Sequence, residues 1–403
     1  MEIKDLIKPY QSYTQNLRRE FHEHPELSTK EYKTTKRIAR ELDELGIAYE
    51  ICKGTNTGVM AWIDGPDATE ETLKNKMYKT VALRADIDGL PVKETNTFDF
   101  KSKNEGVMHA CGHDGHMAIL LGAARMLLDI KDQIKGRVYL IFQPSEEDGH
   151  GAQDMMAYGD WYEKTDCLFG AHVWVDIPAG LVSVEAGPRM AAADSFFIKV
   201  HGSNGHGSRP EESIDGVLVA SAIVMNLQSI VSRNYSALEN VVVSVTRITA
   251  GQNWNIIPGE AELEGTTRYF RREYAKVLED QIRRIAENTA AAYGATAELE
   301  YKYHVMPTIN EEEPSAVAAE AVRKTLGESG LTTMRQLMAG EDFSAYQVNR
   351  PSCFAFLGIH NPEVGAVNAH HNNNFNMDDR VLSRGSAVYA QFAVDWLNKH
   401  ANE

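Results

Sequence analysis

The chain of 403 residues is poor in cysteine and has no excess of basic residues. Its four cysteines, at 52, 111, 167 and 353, show no paired spacing, which favours free thiols or metal ligands over disulfides. Lysine and arginine number 41 against 57 aspartates and glutamates, a formal net charge of −16. This balance argues against a nucleic-acid partner, because binding a polyanion needs a basic surface.

The chain also lacks long apolar segments. The opening residues, MEIKDLIKPYQSYTQ, contain no apolar core of signal-peptide length, and no run approaches the roughly 20 apolar residues of a membrane span. No internal repeat or low-complexity segment is present. These absences predict a cytoplasmic protein without a membrane partner, and the length predicts more than one domain.

The first 46 residues have the pattern of two helices. Ser28 and Glu31 have the spacing of a capping box, in which two side chains satisfy free backbone N–H groups at a helix start. The run that follows, EYKTTKRIARELDEL, keeps a helical period until Gly46. The pair therefore predicts the start of the second helix.

Buried strands and helices alternate through the next part of the chain. TVALRADI (80–87), RVYLIF (137–142) and CLFGAHV (167–173) have the pattern of buried strands, and AILLGAARMLLDI, from Ala118, that of an apolar helix. Strands that are apolar on both faces belong to a sheet covered by helices. The predicted class is therefore α/β, with a central mixed, largely parallel sheet flanked by helices.

The pattern changes after Gly187. DSFFIKVHG, NVVVSVTRI, EAELEGTTRYF and ATAELEYKYH are strand-like, with helical runs before the second and the fourth, the βαββαβ order of a ferredoxin-like domain. After Pro307 the α/β character returns with the strand CFAFLGI and a final helix. The prediction is a catalytic metal-binding domain of residues 1–187 and 306–403, interrupted by an inserted lid domain of residues 188–305.

The richest cluster of potential metal ligands is HACGHDGH, residues 109–116. Three imidazoles, a thiol and a carboxylate are ligands suited to Zn²⁺ or its neighbours. The two glycines allow the tight backbone turns that bring nearby side chains to one ion. The alternative is a loop whose histidines cap the following helix, but such a loop has no packing reason to hold so many ligands.

Further polar clusters follow the ends of predicted strands. Glu146 and Glu147, in QPSEED, are adjacent and point to opposite sides, so one can bind a metal while the other is a general base. His172 ends CLFGAHV, and HHNNNF contains His370 and His371. The structural alternatives are a solvated acidic turn for QPSEED, an edge histidine for His172 and a polar surface loop for HHNNNF. GEDFS is another acidic turn, too short to be diagnostic. Because the carboxyl ends of parallel strands meet at one edge, these side chains predict a site for two metal ions.

In this order the motifs resemble the zinc-dependent aminoacylase and carboxypeptidase family of metallopeptidases. The closest branch is the N-acyl-amino-acid amidohydrolases, which include hippurate hydrolases, indole-acetyl-amino-acid hydrolases and N-acetyldiaminopimelate deacetylases. The resemblance covers nearly the whole chain and runs through RREFHEHPELS, RADIDGLP, HACGHDGH, QPSEE, AHVW, GSNGHGSRP, NIIPGEAELEGTTR, GEDFS and HHNNNF. It implies a fold of the dinuclear-zinc exopeptidase type and a lid domain that also forms a homodimer, or part of a higher oligomer.

The resemblance also implies the cofactors and the residues that bind them. It implies two divalent metal ions per subunit, zinc or alternatively manganese, nickel or cobalt. The implied metal ligands are Cys111, His113, Glu147, His172 and His371. Cys111 resembles the bridging ligand, which many relatives provide as aspartate. Asp86 stands where those relatives have a metal-binding histidine, a ligand that His113 takes over.

The remaining implied roles concern catalysis and substrate binding. Glu146 resembles the general base, Asp88 an aspartate that supports the metal site, and His206 a residue that steadies the oxyanion in a neighbouring subunit's active site. Asn255 and Arg268 resemble the pair that holds the substrate's free carboxylate.

Two positions depart from the family's pattern. Pro210 is followed by Glu211, where histidine is common, which affects the substrate pocket or the dimer contact. His370 precedes His371, where leucine or cysteine is common, so the choice between the two histidines as the ligand stays open.

The function predicted from these features is that of a metal-dependent amidohydrolase. It cleaves the amide bond of small N-acyl amino acids to a carboxylic acid and a free amino acid; a dipeptidase or carboxypeptidase of the same family is the alternative. A second alternative makes Cys111 a thiol nucleophile with His113 or His116 as its base. A third is a non-enzymatic binding protein, in which Glu146 would have no use.

Overall fold

The structure is a computed structural model that describes residues 1–75 and 77–401. The helices are α1 (Ile7–Glu23), α2 (Tyr32–Leu45), α3 (Glu70–Lys74), α4 (His113–Asp129), α5 (Gly151–Met156), α6 (Trp161–Lys164), α7 (Gly216–Asn234), α8 (Tyr274–Ala292), α9 (Glu312–Leu326) and α10 (Leu382–Lys399). The strands are β1 (Ala48–Ile51), β2 (Val59–Asp64), β3 (Lys79–Asp86), β4 (Gly136–Gln143), β5 (Cys167–Pro178), β6 (Val182–Ser183), β7 (Gly187–Met190), β8 (Ala192–His201), β9 (Gly205–His206), β10 (Val242–Ala250), β11 (Ile256–Ile257), β12 (Glu260–Tyr269), β13 (Thr296–Val305), β14 (Thr308–Asn310) and β15 (Ser352–His360).

These elements form two compact units. The first comprises Met1–Gly187, Ile309–Arg335 and the chain from Asp342 onward. The second comprises Pro188–Thr308 and Gln336–Glu341. Each unit has its own hydrophobic core.

The first unit is built on a mixed sheet with the strand order β1-β2-β4-β3-β5-β15-β6. The central strands β4, β3, β5 and β15 run parallel to one another, whereas β1, β2 and β6 pair antiparallel at the edges. Every residue of β4 is buried, as expected for a sheet covered on both faces. Helices α4 and α10 contact β3, and α9 contacts β15. The predicted α/β class, with its mixed sheet flanked by helices, is confirmed.

The second unit contains an antiparallel sheet with the order β10-β12-β8-β13. Taken along the chain, β8, α7, β10, β12, α8 and β13 give the βαββαβ arrangement that the sequence predicts. The alternate residues Phe196, Ile198 and Val200 of β8 are buried in this unit's core. Strands β9 and β11 pair antiparallel in a separate two-stranded ribbon.

The segment 336–341 differs from the predicted boundary, which placed all of 306–403 in the catalytic domain. Leu337 donates its N–H to the carbonyl oxygen of Arg189 at 2.9 Å, and Ala191 donates to the carbonyl oxygen of Leu337 at 2.9 Å. Backbone hydrogen bonds therefore join this segment to the second unit. The catalytic and lid roles of the two domains stay predictions.

The predicted capping box is wrong. Helix α2 begins where expected, but neither Ser28 nor Glu31 accepts a hydrogen bond from its first N–H groups. Glu26 takes that role, because its Oε2 accepts from the N–H groups of Lys33 and Thr34, both at 2.8 Å. The spacing alone misled because the side chains of Ser28 and Glu31 turn inward to other partners.

One helix qualifies the expectation that no segment resembles a membrane span. By length and composition α7 is apolar enough to cross a membrane. Part of that apolar surface is explained within the second unit, because Val219, Ile223, Leu227 and Ile230 are buried in its core. The helix alone is therefore weak evidence for a membrane segment.

Candidate active site

The loop that contains HACGHDGH ends at the first turn of α4. Gly112 precedes this helix with φ = 102°, a left-handed conformation that favours glycine. A Cβ atom at this position would lie 2.4 Å from Cγ2 of Val173, so the position also needs glycine for space. Cys111 and His113 are thereby held on either side of a sharp turn against β5.

His113 has one ring nitrogen held by a carboxylate and the other directed at two more. Its Nδ1 lies 3.1 Å from Oδ1 of Asp88 and donates a hydrogen bond to it. Nε2 is buried without a hydrogen-bond partner in the described chain, 3.9 Å from Oε1 of Glu147 and 4.0 Å from Oε2 of Glu146. Burial alone would lower the pKa of His113, but Asp86, Asp88 and Glu147 raise it to about 10. The surroundings of this imidazole therefore favour a positive charge.

His172, at the carboxyl end of the buried part of β5, is directed at Cys111. Its Nδ1 lies 2.6 Å from the carbonyl oxygen of Val173, which fixes the proton on Nδ1, and its Nε2 lies 3.3 Å from Sγ of Cys111. Burial, followed by the neighbouring His116 and His370, holds the pKa of His172 well below its usual value. His172 is therefore neutral, the form in which imidazole binds a metal.

The surroundings of Cys111 and Glu147 favour the protonated form of each side chain in the absence of a cation. Burial, and then the carboxylates of Glu147 and Glu146, raise the pKa of the Cys111 thiol well above its usual value. Burial also raises the pKa of Glu147 to about 7, and its Oε1 has no hydrogen-bond partner in the described chain. A bound cation replaces such protons with its own charge.

Among the described residues, five groups of side chains could hold a metal ion, and two of these groups share Cys111. Cys111, His113 and His172 form one group, and Cys111, Glu147 and His371 the other; within each, the ligand atoms lie within 4.8 Å of one another. Nε2 of His371 is 3.5 Å from Oε1 of Glu147. A thiol common to two adjoining groups fits the bridging role, and the soft and borderline ligands fit Zn²⁺ and its neighbours.

The structure distinguishes His370 from His371. Nε2 of His370 donates to the carbonyl oxygen of Val173 at 2.9 Å, and its ring stacks on Trp174 with centroids 4.4 Å apart. Burial lowers the pKa of His370 to about 3. His371, with φ = 65°, is the residue brought to Cys111 and Glu147. The position of His371 in this group supports its choice as the ligand, which stays a proposal.

His116 and Asp86 form a buried hydrogen-bonded pair that the sequence did not predict. His116 Nδ1 lies 2.5 Å from Oδ1 of Asp86, and its Nε2 accepts the N–H of Val173 at 2.9 Å. Asp86 also accepts from Nη1 of Arg84 at 2.7 Å. Because both ring nitrogens of His116 are engaged, it is a poor base for a Cys111 nucleophile. The raised thiol pKa also disfavours that alternative.

The QPSEE turn directs its two glutamates differently. The N–H of Glu147 donates to Oδ2 of Asp88 at 3.1 Å, next to His113. Oε1 of Glu146 accepts the N–H of Asp342 at 3.4 Å, and its side chain is 11% exposed. Both carboxylates lie near Nε2 of His113, at 4.0 Å for Glu146 and 3.9 Å for Glu147, but only Glu147 also groups with Cys111 and His371.

Asp342, in the GEDFS turn, binds the end of β4 and the residues after it through hydrogen bonds. It is fully buried and accepts from Nε2 of Gln143 at 2.7 Å, from the N–H of Ala152 at 2.9 Å and from Nη2 of Arg84 at 2.8 Å. Burial raises the pKa of Asp342. The motif was visible in the sequence, but its partners are far away along the chain and left no local signal.

The other predicted site residues belong to the second unit. His206 in β9 is exposed and pairs with Ile256 in β11, directly after Asn255. Nδ1 of His206 accepts from the N–H of Ser208 at 3.1 Å. The short ribbon therefore brings His206 and Asn255 together, and their roles stay predictions.

Arg268 lies in β12 and forms no ion pair among the residues that the structure describes, although the carboxylate of Asp194 acts on its charge. Its Nη1 donates to Oγ1 of Thr266 and to the carbonyl oxygen of Thr267, the latter at 2.8 Å. Burial lowers the pKa of its guanidinium, although arginine remains charged at neutral pH. In a chain with net charge −16, such an arginine suits an anionic ligand.

An α/β fold with clustered imidazole, thiol and carboxylate ligands at the ends of parallel strands, and a further carboxylate beside them, defines a metal-binding hydrolase. Residues 82–395 match the model of the peptidase family M20/M25/M40. The chain belongs to this family, which confirms the predicted relationship and makes it a hydrolase of carbon–nitrogen bonds in linear amides.

Individual relatives match nearly the whole chain. Thermostable carboxypeptidase 2 of Saccharolobus solfataricus is 39% identical over 401 residues, 99% of each chain. N-acetylcysteine deacetylase of Bacillus subtilis is 39% identical over 379 residues, 94% of this chain and 95% of the relative. The crystal structure of the Bacillus subtilis YXEP protein, a dinuclear metal binding peptidase of the M20 family, has a TM-score of 0.84 at 35% identity, covering 97% of this chain and 99% of that one.

Proposed function

We propose that the protein hydrolyses the amide bond of small N-acyl amino acids. The observation that carries the proposal is a pair of ligand groups that share Cys111, with the carboxylate of Glu146 4.0 Å from Nε2 of His113 and outside both groups. A relative of almost full length is a deacetylase of an N-acyl amino acid, N-acetylcysteine. Arg268, which forms no ion pair among the described residues, suits the free carboxylate of such a substrate.

The proposal includes two divalent metal ions in each subunit. Their ligands are Cys111, His113, Glu147, His172 and His371, with Cys111 shared. Zinc fits this set best, and manganese, nickel and cobalt accept similar ligands. When bound, such ions make a water molecule more acidic and stabilise negative charge on the substrate oxygen. Asp88 supports the site by holding Nδ1 of His113 and the backbone of Glu147.

Glu146 provides the proton transfers. Amide hydrolysis needs a base that takes a proton from the attacking water and an acid that delivers it to the leaving amine. Glu146 Oε2 lies 4.0 Å from Nε2 of His113, so the carboxylate reaches the space in front of the ligand atoms. Transfer of that proton to the amide nitrogen releases a carboxylic acid and a free amino acid.

The proposal assigns substrate binding to Arg268, Asn255 and His206. Arg268 can hold both oxygens of a carboxylate through its planar guanidinium, and Asn255 assists it. His206, whose Nδ1 is occupied by Ser208, has Nε2 to offer to the developing oxyanion, the interaction that usually contributes most in such reactions. We assign this His206 contact to a neighbouring subunit, which makes the active form a homodimer or a higher oligomer. The cytoplasmic location also stays a prediction.

A carboxypeptidase or dipeptidase is the second candidate function. Thermostable carboxypeptidase 2, with 39% identity over the full length, favours it. Both functions cleave an amide next to a free carboxylate, so the same site serves either. The group on the acyl side of the bond decides between them.

A hydrolysis screen tests the proposal. N-acetyl, N-benzoyl and longer N-acyl amino acids are compared with dipeptides, with and without a chelator. We expect hydrolysis of the N-acyl amino acids that is lost on chelation and regained with zinc or manganese. Cleavage limited to dipeptides would support the second candidate. An enzyme that resists chelation but is killed by an alkylating agent would revive the Cys111 nucleophile.

A further inference from the structure

A buried carboxylate before α2 binds the turn that carries Glu146. Glu31 is 0% exposed, and its Oε1 accepts the N–H of Ser145 and the N–H of Thr29, both at 3.0 Å. Its Oε2 has no hydrogen-bond partner in the described chain, and burial raises the pKa of Glu31 to about 7. Burying a carboxylate with one unpaired oxygen lowers the free energy of unfolding. The contact between Glu31 and Ser145 is therefore present despite a cost in stability.

Ser145 has a backbone conformation that a serine disfavours. Its φ is 58°, in the left-handed region, where a Cβ crowds the following carbonyl oxygen. Thr29 has φ = 65°, and its N–H also donates to Oγ of Ser145 at 2.8 Å. Oε1 of Glu31 therefore holds together two strained residues, one on each side of the contact.

The conformation of Ser145 determines where Glu146 points, because the two residues are adjacent. A second contact from the same segment acts nearby: Oγ of Ser28 donates to Oδ2 of Asp88 at 2.8 Å. That oxygen also accepts the N–H of Glu147 at 3.1 Å. The segment before α2 thus contacts the glutamate turn directly at Ser145, and through Asp88 at Glu147.

We propose that Glu31 is a positioning residue for Glu146: by binding the N–H of Ser145 it stabilises the left-handed turn that directs the general base. Glu31 acts through the backbone and does not touch the substrate. The proposal rests on the proposed function of Glu146, although part of its test does not depend on activity.

Glu31→Met is the decisive variant, because methionine has a similar length, suits a buried position and lacks an acceptor oxygen. We expect kcat to fall at least tenfold, since small displacements of a catalytic group have effects of about 10²-fold. KM and metal content should remain within about twofold of wild type. A loss confined to kcat is the effect expected of a displaced catalytic group. Glu31→Gln, which keeps one acceptor oxygen, should recover most of the kcat.

Glu26→Met is the matched control. Glu26 lies in the same segment and also accepts backbone N–H groups, but at the first turn of α2. We expect this variant to lower the unfolding temperature and to keep kcat within about twofold of wild type. Equal losses of kcat in the Glu26 and Glu31 variants would mean that general destabilisation is responsible, which would overturn the proposal.

A second substitution tests the backbone conformation itself. Glycine adopts φ near 60° without strain, so Ser145→Gly added to Glu31→Met should raise kcat severalfold. Ser145→Ala in the same background removes the hydroxyl but keeps the strain and should give no recovery. Recovery in neither double variant, or equal recovery in both, would contradict the proposed role.

Hydrogen exchange provides the measurement that is independent of substrate. Amides in 143–148 should exchange faster in Glu31→Met, or in Glu31→Leu, which also lacks an acceptor, if the first variant does not fold, and remain unchanged in Glu26→Met. Unchanged exchange in the variant without an acceptor at position 31 would overturn the proposal. An inactive wild-type enzyme would instead refute the proposed function, while this measurement would still decide whether Glu31 fixes the turn.

Discussion

Two adjacent glutamates at the end of β4 have different surroundings. Glu147 lies among the ligand atoms, 3.5 Å from His371 and 3.9 Å from His113, and burial raises its pKa to about 7. Glu146 Oε2 lies 4.0 Å from Nε2 of His113, and its Oε1 accepts the N–H of Asp342. The alternation of side chains along an extended segment predicted one ligand and one base, and that division stays a prediction.

Substituting each glutamate separately should therefore give different losses. Glu146→Gln should keep its metal but lower kcat by about 10²–10⁴-fold, the usual contribution of general acid–base catalysis. Glu147→Gln, the matched variant one residue away, should lose bound metal. Metal analysis and steady-state kinetics on both proteins measure the two effects. More than a tenth of the wild-type kcat in Glu146→Gln would remove Glu146 from its role.

Some residues of the site carried a sequence signal and others did not. Cys111, His113 and Glu147 stand in short motifs whose composition has no packing explanation. Glu31 had a signal that pointed elsewhere, since its spacing from Ser28 is that of a helix cap. Its real partner is 114 positions away, and such a contact is determined by the folded chain rather than by local spacing.

At the scale of elements, the apolar strands were predicted best and their ends least well. The runs 137–142 and 167–173 became β4 and the longer β5, because backbone pairing continues past the last apolar side chain. Helix α4 begins at His113, five residues before the predicted Ala118. The first turn of α4 was missed because its residues, HDGH, are not apolar and so do not continue the apolar pattern of the helix. The hairpin of β1 and β2 was not predicted.

The start of α4 provides a prediction about Gly112. Gly112→Ala adds left-handed strain and an overlap with Val173, where a Cβ would lie 2.4 Å from Cγ2. We expect the free energy of unfolding to fall by about 1–2 kcal/mol for the strain and about 1–3 kcal/mol for the overlap. Metal affinity should fall as well, because Cys111 and His113 flank the glycine.

Gly46→Ala is the control for strain alone. Gly46 ends α2 with φ = 68°, and a Cβ there would meet nothing within 4 Å. Denaturant unfolding should show a loss of about 1–2 kcal/mol, and metal titration no change. Equal metal affinity in the Gly112 and Gly46 variants would contradict the role given to the turn.

At the scale of the whole molecule, the order of patterns along the chain predicted an α/β part interrupted by a βαββαβ part. Both architectures are present, and the family is that of the M20/M25/M40 peptidases. The segment 336–341 could not be assigned, because its association with the second unit depends on backbone bonds from Leu337, to which side-chain patterns give no guide.

The proposed division of the active site between subunits can be tested by mixing two inactive variants. Glu146→Gln lacks the base but keeps His206, and His206→Ala keeps the base but lacks the oxyanion contact. In a hybrid dimer, the site of the His206→Ala subunit has its own Glu146 and receives His206 from its partner, so it is complete.

Random exchange of equal amounts should restore about a quarter of wild-type activity, since half of the dimers are hybrids with one complete site. Each variant incubated alone is the control, and sedimentation of the mixture shows that dimers formed and exchanged. If exchanged hybrids stay as inactive as their parents, His206 acts within its own subunit and the shared site is ruled out.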